Sequence, residues 1–517
     1  MKTNNTKYWF IALWLVLSAQ TALADERPNI VWIFTEDMND WMGCYGDDTV
    51  PTPNIDNLAA QGIRFDRAYM PAGVCSATRS AIAMGCMQTS LGMHNHISSH
   101  NRSPGAVLRL PEKYKTVYRQ LRDSGYYAIN EGPKNSFNFA WPTQSEQIAK
   151  VSRSGVGASA YFTSDRKELL YDLNIGPFAP SGPVWKDSPR DKPLFMQFHL
   201  RGGKNTGAYK GATYLDGEDT GPYTNPWETD RTERNKATYT DASKVEVMPY
   251  YPDIPTIRSE IAHHYDCIRQ TDDEVGQIVE MLKKDGLYKN TVFFLWADHG
   301  MRLYRHKQWL YEGGIRVPLI ICGPGIEEGI VREDLVSGID ITATTLALSQ
   351  TPIPDWMEGK NLLADDFKRD YVISARDRCD FTIERVRAVT TERFKYIRNF
   401  LTDRPFMQPQ YRDGWDVTEA ARKCYNEGKL NTAQSFPWSP NRVAEELYDL
   451  ENDPHEINNL ANDPAYADVL EEHRRILREW ITETDDKGQY PETIPSLKGV
   501  LERWGDTAVN PEYDRAR

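Results

Sequence analysis

Cys75 and Arg79 stand four residues apart in the stretch GVCSATRSA, residues 73–81, ahead of an apolar run that closes at Gly85. A helix that begins near Ser76 and runs to Gly85 would put the two side chains on one face. Its amino end would add partial positive charge and free N–H groups. That setting favours an anionic nucleophile and an anionic substrate. A buried structural cysteine beside a salt-bridging arginine is the plain alternative, and these two residues alone do not choose between them.

Two further sets of ligand-type residues follow apolar runs. Glu36 and Asp37 come after the continuous run 29–34, and Asp298 and His299 after 291–296. Unbroken apolar runs of this length read as strands buried in a parallel sheet. Residues 194–199 and 317–322 read the same way. Between them lie a helix over 53–61, with proline near its start and Gly62 after its end, and a long amphipathic helix over 260–284. The alternation predicts an α/β domain with a large, mixed, mostly parallel sheet sandwiched by helices. Ligands gather at the carboxyl ends of such strands, so Glu36, Asp37, Asp298 and His299 are expected to converge.

The chain has 517 residues and a formal net charge of −13. That length suits one large domain and a smaller one. The acidic balance argues against nucleic-acid binding, while a local basic pocket can still receive an anion. Lys2 and Lys7 precede an apolar run over 8–19, and Ala22-Leu23-Ala24 supplies small residues for cleavage. Residues 1–24 thus read as a signal peptide, too short in its apolar part for a stable membrane anchor, and a periplasmic or secreted location is expected. Seven cysteines, an odd number, leave at least one outside any disulfide framework. The polar, Gly- and Pro-rich stretch 202–255 reads as a long loop shaping a cleft. The α/β domain is expected over 25–365. Over 366–517 a smaller α+β subdomain with an antiparallel sheet is expected, including a hairpin over 387–400 and a helix over 464–484.

The stretch Cys75-Ser76-Ala77-Thr78-Arg79 resembles the modification signature of the type I, formylglycine-dependent sulfatases of the alkaline phosphatase superfamily. Ala77 stands where proline is more usual. The blocks PNIVWIFTEDMNDWMGCYGD, TPNIDNLAAQGIRFDRAY, PDIPTIRSEIAHHYDCI, WADHG, RHKQWLYEGGIRVPLI and ELYDLENDPHEINNLA are similar to family blocks and follow the family order. The resemblance runs from about residue 28 to 461 and implies an alkaline-phosphatase-like fold. It also implies that a formylglycine-generating maturase oxidises Cys75 to Cα-formylglycine. The hydrated aldehyde carries one hydroxyl to attack sulfur and a second whose deprotonation releases sulfate.

By the same resemblance, Glu36, Asp37, Asp298 and His299 hold a divalent cation, calcium with magnesium as the alternative. Glu36 replaces the more usual aspartate. Lys134 and Lys307 match the lysines that neutralise the sulfuryl oxygens. The family histidine that protonates the leaving alcohol has Lys204 at its ungapped position. The acid role therefore falls to His199 or Lys204, with His199 favoured and Lys204 in the site in either case. Ser136 stands where relatives often carry His or Asp. His94 and His96 are expected to touch carbohydrate. The implied substrate is a sulfated polysaccharide or oligosaccharide, with algal galactans such as carrageenan the nearest likeness. A phosphodiesterase or phosphonate monoester hydrolase on the same nucleophile is the second reading, and a non-catalytic sulfated-glycan binding protein the third. Oligomeric state is not legible.

Overall fold

The computed structural model describes residues 27–96, 108–131, 137–139, 171–175, 185–204 and 240–517. The expected signal peptide, Lys134, Ser136 and most of the expected loop over 202–255 lie outside the described residues. Nine strands form the larger sheet. In chain order they are β1 (Asn29–Thr35), β2 (Gly62–Tyr69), β3 (Tyr127–Glu131), β4 (Leu173–Ile175), β5 (Leu194–Leu200), β6 (Thr291–Ala297), β7 (Arg316–Cys322), β8 (Ile330–Arg332) and β9 (Val336–Ser337). Their spatial order is β4-β3-β5-β1-β6-β7-β2-β8, with β9 also paired to β2.

β1, β5 and β6 are buried at every position, which explains why their sequences are apolar without alternation. β1 pairs in parallel with both β5 and β6, and β3 runs parallel to β5 and β4. β7 runs antiparallel to β6 and β2, so the strand expected over 317–322 is the reversed member of a mostly parallel sheet. Helices flank the sheet in two packed groups. Pro53–Ala60 packs on Pro255–Lys284, and Cys75–Met84 and Val117–Asp123 both pack on Asp340–Leu348. The long helix starts at Pro255, ahead of the expected residue 260, because proline is well accommodated in a first helical turn.

A second sheet is antiparallel, in the order β10 (Val372–Arg376), β11 (Val386–Thr390), β12 (Phe394–Asn399) and β13 (Glu445–Asp449). The helix Ala467–Thr484 covers it, burying Leu470, Ile476, Leu477 and Trp480 against Val389, Tyr396 and Leu447. The two sheets join just ahead of the helix that opens at Cys75. Ala375 N–H donates to the Pro71 carbonyl at 2.9 Å, and Ser374 Oγ donates to the Met70 carbonyl at 2.7 Å.

Among the described residues no helix is long and apolar enough to cross a membrane. No disulfide joins any two of the seven cysteines, all of which lie among the described residues.

One close approach fixes the loops after β6. A Cβ built on Gly300 would stand 1.8 Å from the Gly313 carbonyl oxygen. Gly300→Ala is therefore expected to lower the unfolding free energy by about 1–3 kcal/mol, read in urea. Wild-type stability in that variant would show that the two loops separate freely.

Candidate active site

Register brings the acids together. Thr35 lies opposite Ala297 on one side and Leu200 on the other. The residues that follow these three strand ends are therefore neighbours, one strand spacing apart. Backbone bonds zip the ends. Asp298 N–H donates to Thr35 O at 3.0 Å, Met38 N–H to His299 O at 2.9 Å, and Gly203 N–H to Glu36 O at 2.8 Å. A Cβ on Gly203 would lie 2.1 Å from Asp37 O, so glycine lets the turn carrying Lys204 close on the acids.

Cys75 opens the helix Cys75–Met84, all ten residues of which are buried. The helix ends at Gly85, whose φ of 67° suits a residue without Cβ. Arg79, one turn on, reaches the strand ends. Its Nη2 donates to Glu36 Oε1 at 2.5 Å and to Asp298 Oδ2 at 2.9 Å, and its guanidinium lies over the Phe34 ring. Lys307 Nζ binds both Asp37 oxygens, at 2.7 and 2.8 Å. Lys204 Nζ binds Glu36 Oε2 and lies 3.2 Å from Asp37 Oδ1.

These groups surround one thiol. Cys75 Sγ lies 3.2 Å from His299 Nε2, 3.6 Å from Lys307 Nζ and 3.7 Å from Lys204 Nζ. Burial alone would raise the thiol, but Lys307, His96 and Arg79 together bring it down to about 6. Burial and neighbouring Lys307 push Lys204 below the usual lysine range. Lys307 is desolvated too, yet Asp37 holds it above that range. Asp298 is held ionised, below its usual range, because the cationic groups around it outweigh its burial.

Asp37, Cys75 and His299 each offer a ligand atom, all within 4.8 Å of one another. His299 Nδ1 lies 3.0 Å from Gly300 O and serves as the donor there, which leaves the Nε2 lone pair facing the acids. Burial brings His299 down to about 4, so the ring is neutral at physiological pH. Asp37 Oδ1 and Asp298 Oδ1 lie 3.4 and 3.5 Å from His299 Nε2, and Glu36 stands beside them on Lys204, so carboxylates and a neutral imidazole make a donor set whose chemistry fits a divalent cation.

The structure places the expected site residues unevenly. Glu36, Asp37, Asp298, His299, Arg79, Lys204 and Lys307 form one cluster on Cys75. His199 is brought to that cluster through the acids, its Nε2 2.8 Å from Glu36 Oε1 and 3.2 Å from Arg79 Nη2. His96 turns Nδ1 to Cys379 Sγ and Asp380 Oδ2, each at 3.5 Å. His94 does not join them. The charges around it are Asp377, Arg387, Glu492 and Asp486, and burial lowers its pKa.

Sequence reasoning missed the contribution of the smaller unit. Gln308 Nε2 donates to Cys379 Sγ at 2.8 Å, and Asp380 Oδ2 lies 3.5 Å from His96 Nδ1. Arg412 Nη2 donates to the Lys307 carbonyl at 3.1 Å. No local pattern around residues 378–412 marks them, because these contacts arise only when the two sheets meet.

Two measurements test this electrostatic picture. Arg79→Ala leaves Glu36 and Asp298 buried without their guanidinium and is expected to cost about 3–5 kcal/mol of unfolding free energy. A second concerns His264, beneath the Gly203 turn, and His306, bonded to Asn39 and Tyr250. Burial lowers both to about 3. The unfolded chain takes up protons at these rings near 6.5 and the folded chain only near 3. Their contribution to stability is thus complete above that upper value and drains away as the pH falls through the window. Urea unfolding should show lower stability at about pH 5 than at about pH 7, with a flatter profile in His264→Gln. An unchanged slope in that variant would remove His264 from the explanation.

The sulfatase family model matches residues 28–351, and the model of the N-sulphoglucosamine sulphohydrolase C-terminal region matches residues 299–408. An ulvan-active sulfatase of Formosa agariphila is 29% identical over 489 residues, covering 90% of this chain and 77% of the relative. Human N-sulphoglucosamine sulphohydrolase is 25% identical over 509 residues, covering 92% and 93%. Among solved structures, a 2-O GAG sulfatase superposes with a TM-score of 0.58 at 21% identity, over 90% of this chain and 94% of its own. Ps i-CgsB, solved with k-i-k-neocarrahexaose, superposes with a TM-score of 0.55 at 18% identity, over 93% and 98%. The family match spans more than half of the chain and contains the helix that opens at Cys75 and the strand-end acids, so the chain belongs to the sulfatase family and is a sulfuric ester hydrolase of alkaline-phosphatase-like fold.

Proposed function

We propose that this sulfatase removes sulfate from a sulfated polysaccharide or its oligosaccharides, with residue 75 as Cα-formylglycine and calcium as its cation. The carrying observation is the convergence of His299, Lys204, Lys307 and the Arg79-clamped acids on one buried side chain, Cys75. A relative named for ulvan, and another for N-sulphoglucosamine, support a sugar sulfate as substrate. The apolar run at 8–19 and the Ala22-Leu23-Ala24 site support export to the periplasm or beyond, where such polymers are met.

Glu36, Asp37, Asp298 and His299 would hold the cation, which when bound lowers the pKa of the nucleophilic oxygen and screens the sulfate. The formylglycine supplies that oxygen as a hydrated aldehyde. Lys307 and Lys204, fixed on Asp37 and Glu36, present positive charge where the sulfuryl oxygens sit, without reorganising during the reaction. Arg79 and His199 position Glu36. By the resemblance of its motif, Lys134 is assigned to the sulfuryl oxygens as well.

Protein co-expressed with a formylglycine-generating maturase should release sulfate from ulvan or carrageenan oligosaccharides. Mass spectrometry should find the aldehyde at residue 75. Chelation should abolish release, and calcium should restore it. Cys75→Ser should bind substrate and release nothing. Full activity with an unmodified thiol, or faster turnover of a phenyl phosphonate ester than of any sulfate, would overturn the proposal.

A further inference from the structure

His96, Cys379 and Asp380 form a buried cluster that the chemistry proposed above does not use. The cluster bridges the two units. His96 follows the helix that opens at Cys75, while Cys379 and Asp380 sit in the turn after β10, with 283 residues between His96 and Cys379 in the chain order. The three donor atoms face one another. His96 Nδ1 lies 3.5 Å from Cys379 Sγ and 3.5 Å from Asp380 Oδ2, and Sγ lies 3.9 Å from Oδ2.

These separations suit a shared ion better than direct hydrogen bonds. A charge-assisted bond between imidazolium and carboxylate would draw nitrogen and oxygen to about 2.7–2.9 Å. A tetrahedral ion held by sulfur at about 2.3 Å, and by nitrogen and oxygen at about 2.0–2.2 Å, sets its donors about 3.3–3.6 Å apart. Charge agrees with distance. A thiolate, a carboxylate and a neutral imidazole carry two negative charges, which a divalent ion cancels, and a neutral buried site avoids the cost of an unpaired charge. Among the described residues no lysine or arginine forms an ion pair with the Asp380 carboxylate, and the neighbouring Arg378 is held by Glu492 at 2.7 Å.

The protein fixes the donors in place. His96 N–H donates to the Arg378 carbonyl at 2.9 Å, and Arg378 Nη1 donates to the Asp380 carbonyl at 2.6 Å. Cys379 and Thr382 exchange two backbone bonds, at 3.0 and 2.9 Å, closing a tight turn. Within it Asp380 takes a φ of 51°, a left-handed conformation that aspartate tolerates at a cost and that persists where surroundings over-determine it. Gln308 Nε2 donates to Cys379 Sγ at 2.8 Å, an outer bond of the kind that steadies a metal-bound thiolate.

We propose that His96, Cys379 and Asp380 bind a divalent transition metal of the zinc class, separate from the cation assigned to Glu36, Asp37, Asp298 and His299. The ion clips the segment after the Cys75 helix to the smaller unit. The thiol proton, and any second proton on the imidazole, pass to solvent as the bonds to the metal form. Sulfur and imidazole donors select zinc over calcium or magnesium, which take oxygen. Water fills the fourth position. The assignment depends neither on what residue 75 becomes nor on which ester is cleaved.

Zinc alone is the probe. The full chain carrying Cys75→Ser, so that residue 75 offers no thiolate, is loaded with Zn²⁺, stripped of loose metal on a chelating resin and analysed by mass spectrometry of the metal. Stoichiometric zinc is expected, and excess calcium should not displace it. X-ray absorption at the zinc edge should show one sulfur at about 2.3 Å with nitrogen or oxygen at about 2.0–2.2 Å, a readout that needs no substitution in the cluster. Gln308→Ala should weaken zinc binding about 10–100-fold. Cys379→Ser and Asp380→Asn, checked for folding by circular dichroism, should weaken it further, while Asp37→Asn should leave it unchanged. Failure to retain zinc, a shell without sulfur, or equal retention in folded Cys379→Ser would overturn the site. So would loss of the zinc in Asp37→Asn, which would place it among the strand-end acids.

Discussion

Three carboxylates, those of Glu36, Asp37 and Asp298, lie at the end of the central sheet with 2% exposure or less. Buried negative charge of this density stands only when opposite charge is fixed beside it. Arg79, Lys204 and Lys307 supply that charge, and each comes from a different element. The need to place them constrains the chain widely. The helix that opens at Cys75 must enter so that its second turn meets two strand ends. The turn after β5 must be glycine-rich to bring Lys204 in, and the segment after His306 must fold back over Asp37.

The smaller unit belongs to the same electrostatic assembly. Arg412 holds the backbone on both sides of the Lys307 segment, bonding the carbonyls of Arg302 and Lys307, and Gln308 bridges to Cys379. Asp37, Gln308 and Asp380 all have positive φ without being glycine. Strain of that kind is retained where geometry matters more than the energy of one residue. Its presence on both sides of the joint between the sheets indicates that the two units were shaped around one pocket.

Much of this architecture is legible in the sequence because buried parallel strands have a distinct signature. The runs before Glu36 and Asp298 are apolar without alternation, and the acids that follow them mark carboxyl ends. The helix from Cys75 is legible through Gly85. The reversal of β7 is not, since a buried strand reads alike in either direction. His94 and His96 could not be told apart from sequence. They lie in a stretch without helical or strand periodicity, and only the fold shows that one meets Cys379 and Asp380 and the other the charged cluster around Arg387. Asp380 was invisible for a different reason, because its partner lies nearly three hundred residues away and neither belongs to a repeating pattern.

The helix that carries Cys75 has no exposed residue over its ten positions, and the segment leading into it is roofed at Gly73 by the backbone of Trp309, whose carbonyl oxygen lies 2.7 Å from where a Cβ would stand. A bulky reagent that needs this segment extended cannot reach it once the domain has closed. Access to the thiol is therefore widest before tertiary structure forms, and the time available is set by how quickly the central strands assemble. If residue 75 is modified as proposed above, a host that folds the protein faster than it alters the thiol accumulates well-formed molecules that are permanently inert.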